Sequence, residues 1–335
     1  MNKSNNISKI VIPLISVLVA MLIGSLILIV SGISPTALFQ AIFKSTFGDF
    51  NGWLKITSML IFTGLAIGFS YKGGLFNIGA EGQFIMASLV TSIFVVNSNL
   101  PNAIVPIAGL AVGFIAGALW AFLPGLLKAT YGISEVVVTI MLNWIGMYLY
   151  DFIVQGYFHQ ASNTQQTPII EPSKLLLING FSYAIIFALI AAFVYWFILD
   201  KTTFGFEVKA IGHSKDISAY TGISARARTI QTMMISGGFA GLAGATYGLS
   251  YGYMSTISGN FSNYGFDGIA VALLGGLNAA GTIVAALLMG ALRNAEAAFG
   301  IARIPSEISD IIIGLIILFS IIGPILAKKR QKRGA

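Results

Sequence analysis

Long apolar runs separated by short polar turns set the pattern of this chain. They lie near residues 10–31, 54–71, 75–96, 103–127, 134–154, 181–199, 228–250, 265–279, 281–300 and 308–327. A helix rises about 1.5 Å per residue, so about 20 apolar residues cross the roughly 30 Å hydrocarbon layer of a bilayer. The pattern predicts an all-α, polytopic transmembrane bundle of about ten spans. The pair at 265–300 is interrupted by Gly275, Gly276 and Gly281, and each half is short, as broken or re-entrant helices would be. No polar linker divides the chain. One membrane domain is expected over 10–327, between a tail at 1–9 and a basic tail at 328–335. The first run exceeds the roughly 7 to 15 residues of a signal-peptide core, and no small-residue cleavage site follows it, so a retained helix is expected.

Lys and Arg concentrate in the cytoplasmic loops of membrane proteins. With an even number of spans, one face holds Lys3, Lys9, Lys72, Lys128, Lys201, Lys209, Lys215, Arg226, Arg228 and the five basic residues from Lys328 to Arg333. The other face holds only Lys44, Lys55, Lys174 and Arg303. Both termini are therefore expected in the cytoplasm. Composition agrees: 56% of the 335 residues are hydrophobic and 9% charged, against about 25% charged in soluble domains. The net charge of +7 needs no nucleic acid, because a basic tail lies against the anionic lipid headgroups of the inner leaflet. Cysteine is absent and only two histidines occur, which leaves little for thiol chemistry or a metal centre.

Candidate chemistry is sparse. No Gly-Lys dipeptide occurs, so the chain lacks a phosphate-binding loop of the G-x-x-x-x-G-K-[ST] type and any ATP-driven work falls to a separate subunit. Tyr150-Asp151 and Gly265-Phe266-Asp267 place two aspartates in spans, as in an intramembrane aspartyl protease, but Phe266 stands where that motif has glycine. The stretch from Gly73 to Gln83 puts four glycines, Asn77, Glu81 and Gln83 in or beside a span. Such groups are costly in lipid unless they face protein or water. The stretch is either flexible backbone beside a transport path or a site of close helix packing with Glu81 bonded to a neighbouring helix. Ser134-Glu135 suits a helix start, Asn143 lies deeper in the same span, and Arg293 and Glu296 are spaced to pair on one helical face. The charged stretch 200–228 is the longest between spans, and Asp216 to Ile223 has the mixed pattern of a short surface helix ended by Gly222.

These residues carry a resemblance. The chain resembles the permeases of ATP-binding-cassette importers, in the branched-chain amino acid, ribose and nucleoside group, from about residue 54 to 325. Four matches occur in order: Gly74 to Gln83, Glu135 to Asn143, Phe204 to Ile223, and Gly265 to Gly275. The second and fourth are most similar to the nucleoside branch, whose permeases come in pairs. The resemblance implies an importer rather than an enzyme, in the bacterial cell membrane. It implies an ATPase subunit that binds the ATP, a second related permease and an extracellular solute-binding lipoprotein as partners, and no cofactor or metal in this chain. It also implies a coupling loop for the ATPase at Gly212, Asp216, Tyr220, Gly222 and Ile223. Asn77, Glu81, Asn143 and Asp267 are the expected translocation-pathway residues. Asn278-Ala279-Ala280-Gly281 stands where that group has Asn-Pro-x-Gly, which implies a softer turn. A ribose or simple-sugar permease of the same group, or an ion-coupled secondary transporter, are the alternatives.

Overall fold

Glycine, proline and capping side chains divide the apolar chain into helices. The computed structural model describes residues 3–157, 169–178, 181–213, 222–252, 261–300, 304–305, 307–308, 310–319 and 322. In chain order the helices are α1 (Lys3–Val30), α2 (Pro35–Gly48), α3 (Phe50–Lys72), α4 (Ala80–Asn97), α5 (Val105–Tyr131) and α6 (Glu135–Tyr157). They continue with α7 (Ala184–Lys201), α8 (Thr203–His213), α9 (Ala225–Tyr251), α10 (Tyr264–Leu274), α11 (Ala279–Phe299) and α12 (Asp310–Phe319). Asp49 caps α3 by accepting from the Gly52 amide at 2.9 Å. Gly132 and Gly252 end α5 and α9 in the left-handed conformation that releases the last carbonyls of a helix.

α3 is the axis of the bundle. Every residue from Ile56 to Ser70 is buried, the signature of a helix enclosed on all sides. α4, α7, α9, α10 and α11 pack around it. α5 reaches α9 through small residues spaced four apart: a Cβ on Gly117 would collide with the backbone of Gly237 and Gly241, and one on Gly113 with Ala245. Such spacing lets helix backbones touch where no hydrophobic effect drives association.

At one end of the bundle the described residues 169–178 and 181–183, between α6 and α7, pack over the helix ends. They contain a two-residue antiparallel ladder, β1 (Leu177–Ile178) with β2 (Phe181–Ser182). Leu175 and Leu176 pack with Val95, Val105 and Leu249, and the Ser182 amide donates to Asn51 Oδ1 at 2.8 Å.

The structure departs from the sequence reading in three places and, in the glycine-interrupted pair at 265–300, has the break that the sequence suggests. α2 was not foreseen, because 14 residues are too few to span. Residues 203–213, expected as loop, form α8, which places Gly212 inside a helix. α10 has 11 residues and is about 16 Å long, too short to cross a bilayer, so the glycine interruption is a true break. The turn after it is sharp rather than soft: Gly276 has φ +64° and Leu277 φ +57°. Asn278 holds it without proline, donating to Gly275 O at 2.7 Å and accepting from the Gly281 amide at 2.8 Å.

Candidate functional site

α3 stops where Gly73-Gly74 follow Lys72, and α4 does not begin until Ala80. Of the non-helical residues between them, Gly73, Leu75, Asn77 and Gly79 are buried, while Gly74 is exposed. Buried backbone of this kind must find hydrogen bonds within the protein. Asn77 supplies several: its amide donates to Gln83 Oε1 at 2.9 Å and Ser236 Oγ at 2.8 Å, and its oxygen accepts from the Gly79 amide at 3.0 Å and from Gln83 Nε2 at 3.1 Å. Asn143 reaches across from α6, accepting from the Gly82 amide at 2.9 Å and donating to Ile78 O at 3.0 Å. Together they fasten the start of α4 to α6 and α9.

Glu81 is fully buried in the first turn of α4. Its carboxyl group accepts from Ser262 Oγ at 2.6 Å, the Asn263 amide at 3.0 Å and the Gly265 amide at 2.6 Å. The last two belong to the start of α10, so one carboxyl group serves the positive ends of two helices, where unpaired N–H groups favour negative charge. The approach requires a glycine. A Cβ on Gly265 would overlap the backbone of Ala80 and Glu81.

Asp267 lies two residues along α10 but faces elsewhere. It receives Arg293 in a two-pronged pair at 2.5 and 2.9 Å, the strong geometry of a guanidinium on a carboxylate. The expected pairing of Arg293 with Glu296 is present at 2.5 Å, and Asp310 of α12 adds a third carboxylate at 3.0 Å. The structure thus brings Asn77, Glu81 and Asn143 together around the start of α4 and puts Asp267 in a neighbouring charge cluster. Ser236, Ser262, Asn263 and Asp310 were not foreseen as parts of this site. Isolated hydroxyls, one amide and one carboxylate carry no local pattern, and only the packing reveals them.

Of the expected coupling residues, Gly212 lies at the end of the bundle that holds Lys72. A Cβ on Gly212 would collide with Lys72 O and stand 2.9 Å from the Gly74 nitrogen, while Gly74, at φ +71°, has its own Cβ direction blocked by Gly212. The end of α8 therefore rests directly on the start of the turn that carries Asn77 and leads into α4 and Glu81. Glu207 of α8 pairs with Arg228 of α9, and Lys209 meets Asp200 at 3.0 Å. Glu135, at the start of α6, holds Lys128 of α5 at 2.7 Å and accepts from the Phe76 amide at 3.4 Å. Gly222 has φ +76° and Ile223 precedes α9. Asp216, Tyr220 and the basic tail at 328–335 lie outside the described residues.

Among the described residues, five helices are long and apolar enough to cross a membrane: Phe50–Lys72, Ala80–Asn97, Val105–Tyr131, Glu135–Gly156 and Ala184–Lys201. With broken helices braced inside the bundle, they define a polytopic membrane protein. The chain belongs to the family described as branched-chain amino acid transport system / permease component, which matches residues 50–321. It is 36% identical to the guanosine ABC transporter permease protein NupP of Bacillus subtilis, over 93% of each chain. It is 34% identical to the nucleoside ABC transporter permease protein NupB of Lactococcus lactis, over 94% of this chain and 92% of the other. The glucose ABC transporter permease protein TsgB13 of Haloferax volcanii is 29% identical over 92% of this chain and 86% of its own. No solved structure matches the chain. The protein is thus a multi-pass permease subunit of an ATP-binding-cassette importer in the bacterial plasma membrane, a transport protein rather than an enzyme, and it works with an ATPase and other transporter components.

Proposed function

We propose that this permease imports nucleosides. The observation that carries the reading is the 36% identity to a guanosine permease along 93% of both chains. A glucose relative at 29% favours a simple sugar as the second reading, whereas family membership displaces the ion-coupled alternative. Uptake of labelled guanosine and glucose by cells with and without the gene decides the solute. Guanosine uptake that disappears with the gene supports the nucleoside reading, and gene-dependent glucose uptake alone overturns it.

In this reading the end of the bundle carrying Lys72, Lys128, Lys201, Lys209, Arg226 and Arg228 faces the cytoplasm, both termini lie on that side, and the chain crosses about ten times. The positive-inside rule supports it. So does packing, since Arg226 bonds Thr130 at 3.0 Å beside the Lys128–Glu135 and Gly212–Gly74 contacts. A cysteine placed at Ala335 should resist an impermeant thiol reagent in intact cells. Partners in this reading are the ATPase at the coupling loop, a second related permease beside the bundle and a solute-binding lipoprotein outside.

The same reading gives the coupling loop a mechanical task. An ATPase docked on Gly212 to Ile223 displaces α8, α8 pushes the Gly73–Gly79 turn, and Glu81 carries the displacement to the start of α10. Asn77, Glu81, Asn143 and Asp267 then brace the pathway rather than line it as free side chains. A transporter moves between outward and inward openings only if the ATPase has different contacts with each. Two glycines make a matched test of docking. Gly222 and Gly32 both hold positive φ, +76° and +75°, and a Cβ on either would meet nothing within 4 Å. Valine therefore imposes the same backbone strain at both, about 1–2 kcal/mol. Gly222→Val should loosen ATPase binding and Gly32→Val should not; equal ATPase recovery from both variants would remove the docking assignment.

A further inference from the structure

The outward faces of α1 and α7 at mid-span carry side chains with no polar group: α1 exposes Leu18, Leu22 and Leu26, and α7 exposes Leu189, Ile190 and Phe193. Trp196 of α7 sits near its end beneath Lys201, 5.3 Å from ring to ammonium, the interfacial position at which tryptophan is enriched.

α6 breaks this pattern. Its crossing segment runs from Glu135 to Gly156, which puts Trp144 and Tyr148 in the middle. Trp144 is 42% and Tyr148 61% exposed, and their rings lie 6.2 Å apart at 27°, close to parallel. Neither the indole N–H nor the phenol O–H has a hydrogen-bond partner among the described residues. Such groups are expensive to leave in hydrocarbon, so this face looks onto something polar. It is also continuous with the site. Trp144 follows Asn143 in the chain, and its ring packs on Phe261 at 4.9 Å, the residue before Ser262 and Asn263 that hold Glu81.

We propose that Trp144 and Tyr148 form a stacking platform for the planar heteroaromatic base of the solute as it passes the start of α10. The proposal rests on the nucleoside reading above. An aromatic face accepts any base, because every base has a π-surface, and the adjoining Ser262–Asn263 segment is partly exposed and polar.

The test uses the whole importer, with its ATPase and partner subunits, in proteoliposomes, and follows labelled guanosine uptake and photolabelling by azidoguanosine. Trp144→Leu and Tyr148→Leu should each lower uptake about tenfold, equivalent to about 1.4 kcal/mol. Trp144→Phe should stay within about threefold of the parent. ATPase recovery should match the parent in all three, and the photolabel should map to the peptide containing residues 144–148. If the parent transports guanosine and both leucine variants match it, or the label maps elsewhere, the platform is overturned and this face belongs to the second permease. If the parent transports no nucleoside, the nucleoside reading itself fails, which the parent measurement alone reveals.

Discussion

Among the described residues the helical path has two breaks inside the bundle, after α3 and after α10, and they are built differently. The turn between α10 and α11 is closed mainly by its own residues: Asn278 bonds Gly275 and Gly281, three residues to either side, a Cβ on Gly275 would meet the Gly281–Thr282 backbone, and one bond comes from outside, Tyr195 of α7 donating to Leu277 O at 3.1 Å. The turn between α3 and α4 is held from a distance. Asn143 comes from α6, Ser236 from α9, Ser262 and the Gly265 amide from the start of α10, and Gly212 from α8. A break closed by its own residues is a fixed corner. One closed by four other elements changes shape when any of them moves, and that separates a relay from a hinge pin.

The comparison breaks first at Glu81. Glu81→Ala removes the acceptor of the partly exposed Ser262 hydroxyl and Asn263 amide and strands the buried Gly265 amide, and an unsatisfied buried donor costs about 1–3 kcal/mol. Uptake should fall to background. Glu81→Gln keeps the size and one acceptor oxygen, and should retain part of it. Parent-level uptake by Glu81→Ala, measured beside the amount of assembled importer, would show that α10 does not depend on this carboxyl group.

A smaller but more informative effect is expected at the contact between α8 and the first break. Gly212→Ala has no room for its methyl group, so α8 must lift from the Gly73-Gly74 turn. ATPase binding and hydrolysis should persist while solute moved per ATP drops about tenfold. If the ratio of uptake to hydrolysis is unchanged, force does not travel through this contact. Asn143→Ala should fall between the two, because it removes one cap of α4 and leaves Asn77 in place.

Much of this architecture is legible in the sequence, and the difference between the breaks explains what is not. Spans such as Phe50–Lys72 and Ala184–Lys201 declare themselves by length and apolar content, and the interruption at Gly275-Gly276 is visible because glycines cluster there. The cost of burying Asn77, Glu81 and Asn143 marks them out of their apolar runs. Their partners are another matter. Ser236 is 159 residues from Asn77, and Ser262 is 181 from Glu81, so nothing local announces either bond. Arg293 shows the same limit: the Glu296 pairing follows from helical spacing, but the tighter two-pronged partner, Asp267, lies 26 residues away. α8 was hidden for another reason, since 11 residues with mixed polarity read equally well as a loop.

The smallest effect should come from the second break, and it sharpens the contrast most. Asn278 caps α11 and ties the turn to Gly275 O, and replacing a capping Asn by Ala costs about 0.5–2 kcal/mol. Asn278→Ala should therefore lower the thermal stability of the purified importer by a small amount. Because its bonds stay within the turn, it should leave the ratio of uptake to ATP hydrolysis at the parent value. Melting curves and coupled uptake assays on Asn278→Ala and Gly212→Ala, run side by side, separate a local loss of stability from a loss of transmission. A drop in coupling for Asn278→Ala comparable to that for Gly212→Ala would mean that both breaks move in the transport cycle, and the division between fixed corner and relay would have to be given up.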